Sequence, residues 1–166
     1  VCSSDLLTGT AGNVYVVYGK SGGAAVNLSN LGAGGRMIVG ASNGDRLGIE
    51  VSPAGDFNGD GLPDIVTNNS IVLNNGNGTF AARIPFTSSG SGGFIAVGDI
   101  NRDGRLDLAL PSNQPIRSGD VEILLGNGDG TLQSPIQLST GNFFGPRAVK
   151  LGDLNGDGAL DLVVAN

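Results

Sequence analysis

Apolar residues along this chain come in short runs, each closed off by residues that favour turns. "VYVVYG" (14–19), "FIAVG" (94–98), "LALP" (108–111), "VEILLG" (121–126) and "LVVA" (162–165) are bounded by Gly, Pro, Asn, Asp or Ser. That is the pattern of brief strands joined by tight turns, and no stretch keeps a helical period over a useful length. In the middle of the chain it predicts strands at about Phe94 to Val97, Leu108 to Leu110, Val121 to Leu125 and Leu132 to Leu138. Between the third and fourth of these lies "GNGDGTL" (126–132), matched earlier by "NNGNGTF" (74–80). Asn-Gly and Asp-Gly pairs accept positive φ and favour tight hairpins, so the strands around them are expected to be antiparallel neighbours.

The pattern also repeats. A nonapeptide recurs as "DFNGDGLPD" (56–64), "DINRDGRLD" (99–107) and "DLNGDGALD" (153–161), with first residues 43 and 54 positions apart. The segments after the first two copies carry the same order of elements, the second with a longer insertion. A period of this size signals propellers, solenoids or arrays. Four antiparallel strands per unit make the blade of a β-propeller, where radial packing buries both faces of a small sheet. A β-sandwich fits less well, because it does not require self-similar units. The expected fold class is therefore all-β, with propeller blades of four antiparallel strands. Blades are read at 44–90 and 91–142, preceded by the C-terminal part of another at 7–43 and followed by the start of one at 143–166. Propellers close with about 4 to 8 blades, so the chain reads as a fragment of about three, its partners including the missing blades.

Charge sharpens the picture. The net charge is −6, and nine of the fifteen acidic residues lie in the three nonapeptides, so three divalent cations would balance it. No apolar run reaches 18 residues and no basic patch could follow a phosphate backbone, so neither a membrane span nor nucleic-acid binding is expected. The single cysteine, Cys2, has no internal disulfide partner. "VCSSDL" (1–6) reads back codon by codon as a common sequencing adapter, so it is read as an assembly artefact, and any leader ahead of it as lost.

Within each nonapeptide, positions 1, 5 and 9 are Asp and position 3 is Asn: Asp56, Asn58, Asp60 and Asp64; Asp99, Asn101, Asp103 and Asp107; Asp153, Asn155, Asp157 and Asp161. These are hard oxygen donors at alternate positions. Calcium takes about six to eight oxygens, backbone carbonyls included, which brings in the carbonyl of position 7: Leu62, Arg105 or Ala159. Position 6 is always glycine, where the chain must turn sharply. Magnesium demands tighter octahedral geometry and keeps its waters. Zinc and copper normally recruit His or Cys, and the chain has no histidine. An EF-hand would need Glu at position 12 and flanking helices; Thr67, Leu110 and Val164 stand there instead, among β-rich flanks. Turns of Asp, Asn and Gly form without any ion, but three copies with all four oxygen side chains argue against turn chemistry alone. Position 2 (Phe57, Ile100, Leu154) and position 8 (Pro63, Leu106, Leu160) are expected to turn into the blade core.

"VYVVYGKSGG", "GDRLGIEVSPAGDFNGDGLPDIV", "LLGNGDGTLQSP" and "GDLNGDGALDLVVAN" together resemble the FG-GAP, or VCBS-type, calcium-binding repeats of integrin-α-like β-propellers. The resemblance covers nearly everything after residue 12. It departs at the Phe-Gly pair, kept only in "FFGP" (143–146), at the absent Gly-Ala-Pro, and at Arg102 and Arg105, whose charge predicts a weaker middle site. It implies a seven-bladed parent, extracellular or at the cell surface and often bacterial, with structural calcium in three loops and a role in adhesion or in binding a protein or glycan ligand. The alternative is a non-catalytic propeller domain of a secreted enzyme such as a polysaccharide lyase or phospholipase; no catalytic set is read in this chain. "LSNLGAGG", "TSSGSGG" and "PSNQPIRSGD" are the exposed ligand-loop candidates. Asp45, Glu50, Asp120, Glu122 and Asp129 are expected to be turn residues or solvated strand charges. The glycosylation acceptor patterns at Asn27, Asn68 and Asn77 are assigned no role.

Overall fold

The computed structural model describes residues 2–3, 13–18, 28, 30–32, 35–39, 51–89, 94–112, 120–139, 141 and 146–165. The described elements are strands. β1 (Cys2–Ser3), β2 (Asn13–Val17) and β3 (Gly35–Val39) form an antiparallel three-stranded sheet. β4 (Val51–Gly55), β5 (Asp64–Thr67), β6 (Ser70–Val72) and β7 (Ile84–Pro85) form a four-stranded antiparallel meander. β8 (Ala96–Gly98), β9 (Asp107–Ser112), β10 (Asp120–Leu124) and β11 (Ile136–Ser139) repeat it, and β12 (Ala148–Gly152) with β13 (Asp161–Ala165) make a final antiparallel pair. These are the expected all-β, blade-like sheets. The predicted middle-unit strands are all present, with the first and fourth shifted toward the C-terminus. Phe94 and Leu132, read as strand starts, instead make isolated bridges to Ala148 and Gly126.

Local chemistry explains the turns. The two-residue turn between β5 and β6 is closed by Thr67, whose Oγ1 accepts the Ser70 N–H at 3.1 Å and lies 2.9 Å from the Ser70 hydroxyl. The β6–β7 and β10–β11 connections are wider than the tight hairpins expected. In both, an N–H to C=O bond spans five residues, Asn75 to Thr79 and Asn127 to Thr131, each 3.0 Å long. Two left-handed glycines per loop, Gly76 with Gly78 and Gly128 with Gly130, make that path possible. Asn77 and Asp129 then clip their loops by accepting the N–H and hydroxyl of Thr79 and Thr131. Asp129 is thus the turn residue anticipated. Asp45, Glu50 and the 113–119 insertion lie outside the described residues.

The first three strands of the middle sheet are buried on both faces, as radial packing requires, whereas β11 is exposed. Leu108 and Leu110 of β9, with Leu124 of β10, join Ala54, Phe57, Val66 and Ile71 of the preceding sheet. Their alternates Ala109, Val121 and Ile123 pack with Val149 of β12. One contact recurs between sheets. Leu106, at position 8 of the second loop, rests on Gly55, and Leu160, at the same place in the third, rests on Gly98. A methyl at Gly98 would stand 2.7 Å from Leu160 Cδ1 and 3.2 Å from Leu151 Cδ1. Gly98→Ala is therefore expected to cost about 1–2 kcal/mol, read as a lower urea midpoint at unchanged slope. Gly152→Ala, which meets nothing within 4 Å, serves as the control and is expected to be neutral or slightly stabilising.

Position 2 departs from expectation in one copy. Phe57 is buried and Ile100 packs against the core, but Leu154 is 72% exposed. The side chain at position 2 is covered by the sheet that follows its own, and among the described residues no sheet follows β13. Pro63 is also exposed, whereas Leu106 and Leu160 are half-buried, Leu106 packing on the core cluster and both resting on a glycine of the preceding sheet.

Candidate metal centres

Each nonapeptide connects the first strand of a sheet to the second: β4 to β5, β8 to β9 and β12 to β13. The three turns are built with nearly the same bonds. Asp56 Oδ1 accepts the N–H groups of Gly59 (2.7 Å) and Asp60 (2.9 Å), and its Oδ2 that of Gly61 (2.7 Å). Asp153 does the same with Gly156 (2.7 Å), Asp157 (3.2 Å) and Gly158 (2.9 Å). Asp99 accepts from Asp103 (3.0 Å) and Gly104 (2.9 Å). Positions 3 and 5 meet side by side: Asn58 Nδ2 lies 2.9 Å from Asp60 Oδ2, Asn101 3.0 Å from Asp103, and Asn155 3.1 Å from Asp157. The position-5 carboxylate also accepts the N–H of position 7, from Leu62, Arg105 and Ala159. Asp103 titrates below its ordinary value, first because Asn101 donates to its carboxylate, then because of the Arg105 N–H and the Arg105 charge. Gly61, Gly104 and Gly158 hold position 6 at φ +84°, +82° and +78°, so the predicted sharp turn is present in each copy.

Position 9 behaves differently from its neighbours. Asp64 and Asp107 are buried, and each bridges the start of its loop to the end of the third strand. Asp64 accepts the N–H of Phe57 (2.9 Å) and of Asn74 (2.8 Å); Asp107 accepts those of Ile100 and Gly126, both at 2.8 Å. Asp161, half-buried, accepts the Leu154 N–H at 2.8 Å. This clasp is a role that the sequence reading did not assign.

The loops offer a calcium ion the donors it prefers. Every side-chain donor is a carboxylate or amide oxygen, and an oxygen accepting one N–H retains a lone pair. As placed, however, the carboxylates are turned onto backbone N–H groups. Among the described residues, no three His, Cys, Asp or Glu side chains gather as a metal-holding group. The donor chemistry fits the ion, then, while the acids are held by the backbone.

Three further charged residues stand elsewhere than the sequence suggested. Glu122, expected in a turn or in solvent, is 1% exposed on β10 and accepts bonds from Ser88, Ser89 and Gln137. Asp120 is buried too. Ser88 and Ser89, placed in an exposed ligand loop, are correspondingly half-buried, whereas Thr87 beside them is exposed. Arg102 reaches out of the middle loop to Asp157 of the third, donating to Oδ1 at 3.1 Å and to the backbone carbonyl at 3.0 Å. Period-2 patterning would place Glu122 on a sheet face, but only the fold shows that this face is covered. A cleft of about 290 Å³ opens between β6–β7 and residues 130–135; its lining includes Ile84, Phe86 and Leu132 and no ionisable side chain.

A family model described as FG-GAP-like repeat matches residues 56–110 and 116–164, more than half of the chain. No curated protein matches it. The first matched unit runs from a nonapeptide into the second strand of the following sheet, and the second runs from just before β10 into β13, so each straddles two sheets. No helix among the described residues is long and apolar enough to cross a membrane.

Proposed function

Because the chain belongs to the FG-GAP-like repeat family, we propose that it is a calcium-stabilised, exported β-propeller module that binds a protein or glycan ligand or serves in adhesion. The observation that carries the calcium reading is the recurrence of one oxygen-rich turn, with the same bonds, at the same place in three successive sheets. In each loop the ion would be held by positions 1, 3, 5 and 9 and by the position-7 carbonyl. Its role would be structural, offsetting the repulsion of three carboxylates within nine residues. Extracellular modules bind calcium at about 10⁻⁴–10⁻³ M, whereas cytosolic calcium would leave such sites empty; this supports an exported protein. Ligand binding is assigned to surface loops other than the nonapeptides, since loops on a rigid scaffold tolerate variation.

At millimolar calcium, mass action gives each site about 0.4–1.4 kcal/mol of stabilisation. Three filled sites would raise the melting temperature by about 3–15 °C over chelator. Calorimetric titration paired with circular dichroism melts in calcium, magnesium and chelator tests this. About three calcium ions bound, with magnesium much less effective, is the expected result. A folded chain that binds no calcium would end the reading.

A further inference from the structure

Position 4 is where the three nonapeptides differ. Gly59 and Gly156 occupy it in the first and third loops at φ +79° and +78°, and Arg102 occupies it in the second at φ +62°. Arg102 is the one non-glycine residue in the left-handed region among the described residues. That conformation is unfavourable for an L side chain, so a surrounding interaction must hold it. The side chain shows which one. It leaves its own loop and lays Nη2 against the third, 3.0 Å from the Asp157 carbonyl and 3.1 Å from Asp157 Oδ1. Asp157 is position 5 of that loop, and the same Oδ1 also takes the Ala159 N–H at 2.7 Å. The other cation of the middle loop points elsewhere: Arg105 lies along the hairpin of its own sheet, with Cδ and Nε each 3.2 Å from where a Cβ on Gly128 would stand. No equivalent strut can join the first loop to the second, because Gly59 has no side chain to extend.

We propose that Arg102 is a resident counter-charge of the third loop, competing with a divalent ion for Asp157 and making that loop the weakest calcium site of the three. The proposal rests on the calcium reading above and states which loop fills last. It also moves the effect of Arg102 from the middle loop, where the sequence placed it, to the next one. A guanidinium holds its planar donors against a carboxylate without shedding a tight hydration shell, so it is a durable occupant of such an oxygen. A calcium ion must share Asp157 with it or displace it. A unit charge about 5 Å from a divalent ion in water, screened at about 0.1 M salt, lowers affinity about fivefold.

The test is calorimetric titration of the full chain with calcium chloride, comparing the wild type with Arg102→Gln and Arg102→Gly. Arg102→Gln removes the charge and keeps the left-handed side chain; Arg102→Gly removes both. In each variant one site is expected to tighten about fivefold while the other two stay unchanged, the gain fading as potassium chloride is raised. In an Asp157→Asn background the gain from Arg102→Gln is expected to vanish. A wild type that binds calcium while Arg102→Gln leaves every affinity within twofold overturns the proposal alone, as does a gain that survives in the Asp157→Asn background. A folded wild type that binds no calcium overturns the calcium reading, and this proposal with it.

Discussion

Asp107→Ala is expected to lower the unfolding free energy by about 3–5 kcal/mol, with at least about 3 kcal/mol of that loss persisting in chelator. Asp107 is fully buried, and its two oxygens each accept one backbone N–H, from Ile100 at the start of the loop and from Gly126 past the end of β10. Truncation leaves the buried Gly126 N–H and the part-buried Ile100 N–H without their acceptor, and an orphaned buried N–H costs about 1–3 kcal/mol. A residue serving only a bound ion would behave otherwise, because its loss would disappear once the ion was removed. Asp161 supplies the comparison. It is half-buried and accepts one N–H, that of Leu154, so Asp161→Ala is expected to cost about 1 kcal/mol in chelator. Urea unfolding in chelator, followed by circular dichroism, measures both. A loss under about 1 kcal/mol for Asp107→Ala would mean that the clasp does not hold the sheet.

The strands and loops were legible because their causes are local. Val, Ile and Leu runs bounded by Gly and Asn specify "VEILL" and its neighbours as strands without reference to anything distant. The sharp turn at Gly61, Gly104 and Gly158 follows from the same nine residues that spell it. What failed was whatever depends on a second sheet. Alternation gives a strand two faces but does not say which is covered, so Leu154 was read as buried and Glu122 as solvated. Position 9 was ambiguous for a chemical reason: a carboxylate oxygen suits a cation and an N–H equally. One N–H that claims it is that of position 2, seven residues upstream in all three loops, and the other belongs to Asn74 or Gly126, 10 and 19 residues downstream, a separation too variable to serve as a spacing rule. Arg102 was read as a perturbation of its own loop because its partner lies 55 residues away.

The matched repeat unit helps explain the asymmetry. The first matched unit, 56–110, begins at a loop and ends on the second strand of the next sheet, so it spans the joint between two sheets. Gly55 lies just before the first unit and Leu106, which packs on it, near that unit's end. The loops thus carry contacts across the joint, and position 8 of one loop rests on the sheet before it while Arg102, at position 4, reaches the loop after it.

Glu122→Ala is expected to cost about 3–5 kcal/mol, and Glu122→Gln about 1–3 kcal/mol, with no change in calcium affinity at any of the three loops. Glu122 stands opposite Leu110 in the β9–β10 register, on the face turned toward the preceding sheet. From there its carboxylate accepts the Ser88 hydroxyl at 2.7 Å, the Ser89 N–H at 3.0 Å and the Ser89 hydroxyl, and Ser89 Oγ lies 2.7 Å from Ser112 Oγ. One buried carboxylate thus gathers the chain leaving β7 onto the next sheet. Alanine removes the shared acceptor of four donors, the Ser88 and Ser89 hydroxyls, the Ser89 N–H and the Gln137 amide. Glutamine keeps one carbonyl acceptor but turns an NH₂ toward groups that are themselves donors, hence its intermediate cost. An exposed strand charge would change stability by no more than about 0.5 kcal/mol, so urea unfolding of the two variants separates the readings by several-fold. Unchanged calcium titration would place the loss at the joint between sheets, because no nonapeptide residue bonds to Glu122 among the described contacts. The same joint holds Ser88 and Ser89, on the chain leaving β7, against the neighbouring sheet through one carboxylate.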